Sequence, residues 1–192
     1  MSGMATGKVM ARATFFLSAG RCGTQTLRHA INVLRPDAVV GHESIGPEYA
    51  AFDKALAHMH EVEQILDGGQ DYIETGWPCF VALPFYRAIH PEWNIVHIER
   101  RLQDQAASLN AQGLFDGRNG RFAPLLTGLT AEEHIMNITA LAVSMRTEGI
   151  TFTQLFGGYM APARIAAMVG VDPGALTDQL RHKVDAYAPE AV

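Results

Sequence analysis

The sequence predicts an α/β fold, a three-layer αβα sandwich around a central parallel sheet of four to five strands. Five short segments rich in Val, Ile, Phe, Tyr or Thr recur along the 192 residues. Stretches with apolar residues at three-to-four spacing lie between them. No internal repeat, low-complexity tract or linker interrupts the alternation. Strands that alternate with helices imply crossover connections, and crossovers give parallel strands with helices packed on both faces. At this length a single domain, residues 1–192, is the expectation.

In chain order, the first predicted strand is 12–17. Lys8 and Arg12 stand ahead of the apolar run 13–17, but that run is too short for a secretory signal and reads as a buried strand. A helix over 24–34 follows, then a strand over 38–42, a helix over 48–66, and strands over 71–75 and 94–99. Helices are predicted over 103–112 and 130–148, the second opened by a capping box of Thr130 and Glu133. A fifth strand is expected over 149–154. Pro162 suits the first turn of a late helix that Gly170 ends. Residues 113–128, rich in Gly, Arg and Asn, have little periodicity and read as a surface loop and candidate lid.

Composition narrows the function classes. Hydrophobic residues make up 48% of the chain, enough for a substantial core. No apolar run approaches the ~20 residues of a membrane helix. The formal charge of −5 argues against broad nucleic-acid binding, which needs a basic face. Cys22 and Cys79, far apart and without metal-type spacing, support neither a disulfide framework nor a zinc site. A cytoplasmic location is the expectation.

The segment from Phe15 to Leu34 carries the first chemical signal, a buried strand, a glycine-punctuated turn and a helix start. Gly20 and Gly23 let the backbone turn tightly and approach a ligand, and the free amides and dipole of a helix N-terminus favour an anion. Arg21 adds a permanent cation whose planar fork suits phosphate or sulfate oxygens. Thr24 and Thr26 add hydroxyls. The lysine of the nucleoside-triphosphate loop Gly-x-x-x-x-Gly-Lys-Ser/Thr is absent. The second signal is Arg100, at the carboxyl end of the predicted strand 94–99, where open α/β sheets bind ligands. Ser108 follows eight positions later on the next helix.

Together these two segments resemble the sulfotransferases that use 3′-phosphoadenosine 5′-phosphosulfate (PAPS). Gly20-Arg21-Cys22-Gly23-Thr24-Gln25 is similar to the family's loop for the 5′-phosphosulfate, with Cys22 and Gln25 in place of small hydroxyl residues. Arg100 and Ser108 match its motif for the 3′-phosphate with the spacing intact. At lower specificity, residues 150–155 look like the family's late strand and 163–171 like its C-terminal helix. The resemblance spans roughly residues 13–171 and implies a P-loop-like fold. The implied co-substrate is PAPS, bound by Gly20, Arg21, Cys22, Gly23, Thr24, Gln25, Thr26, Arg100 and Ser108, with 3′,5′-adenosine bisphosphate as product and no metal. It implies a small-molecule, glycan or lipid acceptor. The family's Arg-Lys-Gly loop and adenine-stacking Trp have no evident counterpart, Arg181 and Lys183 being loose substitutes for the former.

Sulfuryl transfer needs a positioned acceptor, a base and positive charge on the leaving phosphate. Arg21 fits the last role. His42 or Glu43, after the second predicted strand, fits the base: His42 titrates near neutrality, whereas Glu43 needs burial to do so. Glu74, closing the third strand, is a lesser candidate to orient the acceptor. His58, His60, His90, His134 and His182 lack ligand spacing and read as structural, and Phe52, Trp77, Phe80, Phe85, Tyr86 and Phe115 as lining the core or an acceptor pocket. Two rival readings remain, a kinase-like phosphotransferase with Glu99 facing magnesium and a non-catalytic nucleotide-binding protein of the same fold.

Overall fold

The computed structural model describes residues 10–44, 52–76, 82–115, 128–157 and 161–186, with only the backbone at 161 and 182–186. Its first strand, β1 (Ala13–Leu17), is buried along its whole length, as a strand covered on both faces must be. Helix α1 (Thr24–Leu34), strand β2 (Val39–Gly41), helix α2 (Phe52–Asp67) and strand β3 (Tyr72–Thr75) follow. Then come α3 (Leu83–Ile89), β4 (Asn94–Glu99), α4 (Leu102–Ala111), α5 (Ala131–Ser144), β5 (Glu148–Thr151), α6 (Phe152–Phe156), α7 (Ala161–Val169) and α8 (Pro173–Ala186).

The sheet has five strands in the order β2-β3-β1-β4-β5, and every pair is parallel. The connection from β3 to β4 passes over β1, so β1 is central and the chain leaves it between neighbours that diverge in sequence. That is the switch point at which parallel sheets open a crevice at their carboxyl ends.

Alternation along β1 divides the core. Phe16 packs on one face with Leu27 and Ile31 of α1, Ile165 and Val169 of α7, and Leu176 and Leu180 of α8. Phe15 and Leu17 pack on the other with Met59 and Val62 of α2, and Leu83 and Tyr86 of α3. A smaller cluster joins Ala106 and Leu109 of α4 to Ile135 and Ile138 of α5 and reaches Ala19 behind the first loop. These are the three layers expected. Among the described residues no helix is long and apolar enough to cross a membrane.

Four elements differ from the sequence expectation. The predicted strand 149–154 ends at Thr151, because Thr151 and Gln154 form a capping box that starts α6. The predicted helix 130–148 stops at Ser144: Arg146 turns to a positive φ of 52°, and the Thr147 amide and hydroxyl both bond to Ala142 O. Helices α3 and α8 were not expected. The first has seven residues with Pro near its start, too short for a clear period. The second opens where Asp172 Oδ1 accepts the Ala175 amide at 2.9 Å, followed by Pro173. Phe52 is 65% exposed rather than in the core. Residues 48–51 of the predicted second helix, most of the candidate lid, and Trp77, Cys79 and Phe80 lie outside the described residues.

Candidate active site

The loop after β1 is held from behind. Gln105 Nε2 on α4 donates to Gly20 O at 2.7 Å, and His134 on α5 lies 3.2 Å from Ala19 O through Nε2. A carbonyl only accepts, so Nε2 carries the His134 proton. Burial holds this imidazole below its ordinary value of 6.5, the bond to Ala19 acting in the other direction. The buried Ser18 hydroxyl accepts the Gly20 amide at 3.1 Å.

Gly20, Arg21 and Gly23 all take positive φ, 93°, 57° and 73°. The turn then delivers the chain to α1 with Gly23 as N-cap and no side chain closing the first amides. Those amides and the helix dipole favour negative charge at this end of the helix. A side chain at Gly23 would collide with Phe156 and crowd Phe152, so the glycine is needed for space as well as for φ. Cys22 turns its thiol into the core, and burial pushes it up to about 12; only its backbone is left to face a ligand. Thr24 is buried, Thr26 half-buried, and Arg21 and Gln25 exposed.

On one flank the end of β4 closes on this loop. Arg100 Nη1 donates to Arg21 O at 3.0 Å, and Arg21 Nε donates to Ser108 Oγ on α4 at 3.0 Å. Arg21, Arg100 and Ser108 are thus brought together. The Arg100 guanidinium also lies 4.9 Å over the Phe152 ring, a cation–π contact. Glu99 faces its strand neighbour, Oε1 standing 3.3 Å from Nδ1 of the buried His97.

On the other flank, the end of β3 and the turn after β2 meet. Gly76 N bonds to Phe16 O at 3.1 Å, tying this flank to β1. His42 Nδ1 is hydrogen-bonded to Thr75 O and lies 3.2 Å from Thr75 Oγ1. Because Thr75 O is a carbonyl and only accepts, Nδ1 carries the proton of that bond, which in the neutral imidazole leaves the lone pair on Nε2. Glu43 Oε1 is 3.8 Å from Nε2, and Glu43 adopts a positive φ of 55° over Gly76, which has no room for a side chain. Glu74, fully buried, sits 2.7 Å from the Tyr72 hydroxyl through Oε2.

Sequence reasoning missed Gln105, His134, Thr75 and the Phe152–Phe156 pair. The capping box Thr151-x-x-Gln154 was the signal for the last two, since it marks a helix start where a strand was read. Arg181 on α8 is exposed. A cavity of about 860 Å³ lies at the opposite end of the sheet against Arg12, Glu63, His90 and Trp93, away from this loop. A smaller one of about 410 Å³ borders Ala19, His97, Arg100 and Gln105. Among the described residues no three His, Cys, Asp or Glu side chains gather to hold a metal ion.

No family model matches the chain, and no curated protein matches it. Among solved structures it is similar to a sulfotransferase from Alicyclobacillus acidocaldarius, with a TM-score of 0.55 and 15% identity over 92% of this chain and 91% of that one. A gluconokinase from Sinorhizobium meliloti 1021 aligns with a TM-score of 0.46 and 10% identity over 93% of this chain and 98% of that one. The likeness to the sulfotransferase structure is one of fold: the chain is an α/β sandwich on a five-stranded parallel sheet, with the β1 loop between two differently built strand ends.

Proposed function

We propose that the chain is a PAPS-dependent sulfotransferase, transferring a sulfuryl group to a hydroxyl or amine of a small-molecule, glycan or lipid acceptor. The observation that carries this reading is the ring of bonds from Arg100 to the Arg21 carbonyl and from Arg21 to Ser108. It sets a second cation and hydroxyl beside the helix N-terminus, and PAPS is anionic at two separated ends.

In this reading Gly20 to Thr26 hold the 5′-phosphosulfate through loop amides and the α1 N-terminus, with Arg21 above them. Arg100 and Ser108 hold the 3′-phosphate. Phe152 and Phe156 supply aromatic surface beside Arg100 and Gly23 of the kind an adenine needs. The acceptor oxygen bonds to sulfur as the bond from sulfur to the bridging phosphate oxygen breaks. The phosphate leaves with the electron pair, its growing charge met by Arg21 and the helix dipole. The acceptor proton goes to His42 Nε2, the nitrogen left with a lone pair, and Glu43 stands beside the imidazolium that forms. A cytoplasmic location belongs to the same proposal.

Binding and transfer test this reading together. 3′,5′-Adenosine bisphosphate is expected to bind without magnesium in calorimetry, and PAPS to sulfate at least one member of a broad alcohol and amine panel. Magnesium-dependent ATP binding with phosphoryl transfer would overturn it in favour of a kinase. Bisphosphate binding without transfer to any acceptor would leave a non-catalytic nucleotide-binding protein.

A further inference from the structure

Two consecutive carbonyls of the loop after β1 are taken by side chains from other elements. Ala19 O lies 3.2 Å from His134 Nε2 on α5, and Gly20 O accepts from Gln105 Nε2 on α4 at 2.7 Å. Gln105 is 2% exposed, so water does not compete for its bond. A carbonyl only accepts, which fixes the Gln105 amide with its nitrogen toward the loop.

A trans peptide is planar, and its N–H points away from its C=O. Pinning one carbonyl therefore aims the amide of the next residue. The Gly20 amide is aimed at Ser18 Oγ, 3.1 Å away, so the Ala19–Gly20 plane is locked at both ends. The Gly20–Arg21 plane is held differently. Gln105 takes its oxygen, and the Arg21 amide on the far side meets no partner among the described residues. That amide lies in the turn ahead of α1, whose first amides have no side-chain cap either.

The backbone opposes this arrangement at one point. Arg21 holds a φ of 57°, a conformation that strains a residue with a Cβ. Flipping the Gly20–Arg21 peptide carries Arg21 to negative φ, and the glycine on its other side turns at little cost. The flip also swings the Gly20 oxygen to where the Arg21 amide stood, which presents a dipole of the wrong sign to an anion. The bond from Gln105 is what the flip would break.

We propose that Gln105 is a positioning residue: by holding the Gly20 carbonyl back it keeps the strained Gly20–Arg21 peptide with its amide turned toward the 5′-phosphosulfate. Helix α4 then addresses the loop twice from one face. Gln105 takes the backbone, and Ser108, three residues on, takes the Arg21 side chain. That the amide meets a phosphosulfate rests on the sulfotransferase reading; that Gln105 fixes the peptide does not.

NMR of the ligand-free protein tests the hold itself. In wild type a scalar coupling across the hydrogen bond should join the Gln105 side-chain nitrogen to the Gly20 carbonyl carbon, and the Arg21 Cα–Hα coupling should report a positive φ. Gln105→Met, of like length and without a donor, should move that coupling to its negative-φ value. An Arg21 that keeps its positive φ in the variant overturns the proposal. Should the variant fail to fold, wild type decides alone, and a missing cross-bond coupling overturns it. Calorimetry reads the consequence. 3′,5′-Adenosine bisphosphate should bind Gln105→Met at least about tenfold more weakly than wild type, the scale of one hydrogen bond to a charged group, whereas adenosine 3′-phosphate should bind both alike. Equal weakening of both nucleotides would mark a merely structural residue and overturn the positioning role. No bisphosphate binding by wild type would remove the sulfotransferase reading and leave the NMR result to stand.

Discussion

The two flanks of the β1 loop are assembled from different kinds of information. On the β4 side, Arg100 and Ser108 belong to one strand-turn-helix, so helix geometry fixes their separation and the eight-residue interval is visible in sequence. On the β2 and β3 side, Tyr72, Glu74 and Thr75 of β3 meet His42 after β2, His58 of α2 and Tyr86 of α3. They meet through register, Val39 beside Tyr72 and Gly41 beside Glu74, and through packing of α2 and α3. The first flank is cationic, with Arg100 bonded to Arg21 and Arg21 to Ser108. The second is a set of imidazole, carboxyl and phenol groups hydrogen-bonded to one another. A local motif thus makes the cationic flank visible in sequence, whereas the second flank exists only through tertiary pairing.

The largest expected effect sharpens the anionic side. Arg21→Ala should lower sulfuryl transfer by more than about a hundredfold, the scale of losing a group that stabilises transition-state charge, with an unchanged melting curve because the side chain is exposed. A transfer rate near wild type would break the comparison. Next comes acid stability. Burial holds His58, His97 and His134 below the ordinary value of 6.5, so the unfolded chain binds protons that the folded chain refuses. Their contribution is fully present above 6.5 and is lost as pH falls below it. Denaturant midpoints should decline in that window, and His58→Gln should flatten the decline.

Smaller effects concern the aromatic lid over the loop. Gly23→Ala meets both a positive φ and Phe156, and should cost about 1–3 kcal/mol in urea unfolding. Thr151→Ala removes the cap of α6, worth about 1 kcal/mol, and should loosen Phe152 from Arg100. A cap loss that leaves nucleotide affinity untouched would remove Phe152 and Phe156 from the site.

The layers and the parallel sheet could be anticipated because hydrophobic periodicity and the alternation of strands with helices are local signals; the strand order, set by long-range pairing, was not read from them. Strand 94–99 matched to the residue. The interval 148–156 did not, because Ile150, Thr151 and Phe152 favour strand until the Thr151 hydroxyl bonds to the Gln154 amide. His58 read as a structural histidine with no partner at ligand spacing. Its partners stand 14 and 28 residues away, and only the packing of α2 against β3 and α3 unites them. Arg21, Arg100 and Ser108 were legible as a set through motif order, whereas the Gln105 and His134 props beneath the loop are ordinary helix residues until the fold brings them to Ala19 and Gly20.

The central claim is that the Arg100 flank holds a phosphate distinct from the one on the β1 loop. Calorimetric titration of wild type and Arg100→Ala with 3′,5′-adenosine bisphosphate and with adenosine 5′-phosphate tests it most directly. The account predicts that wild type prefers the bisphosphate by at least about tenfold, the scale of one charged hydrogen bond, and that the variant loses this preference while retaining 5′-phosphate binding. Equal losses for both nucleotides, or a preference that survives in the variant, would contradict it.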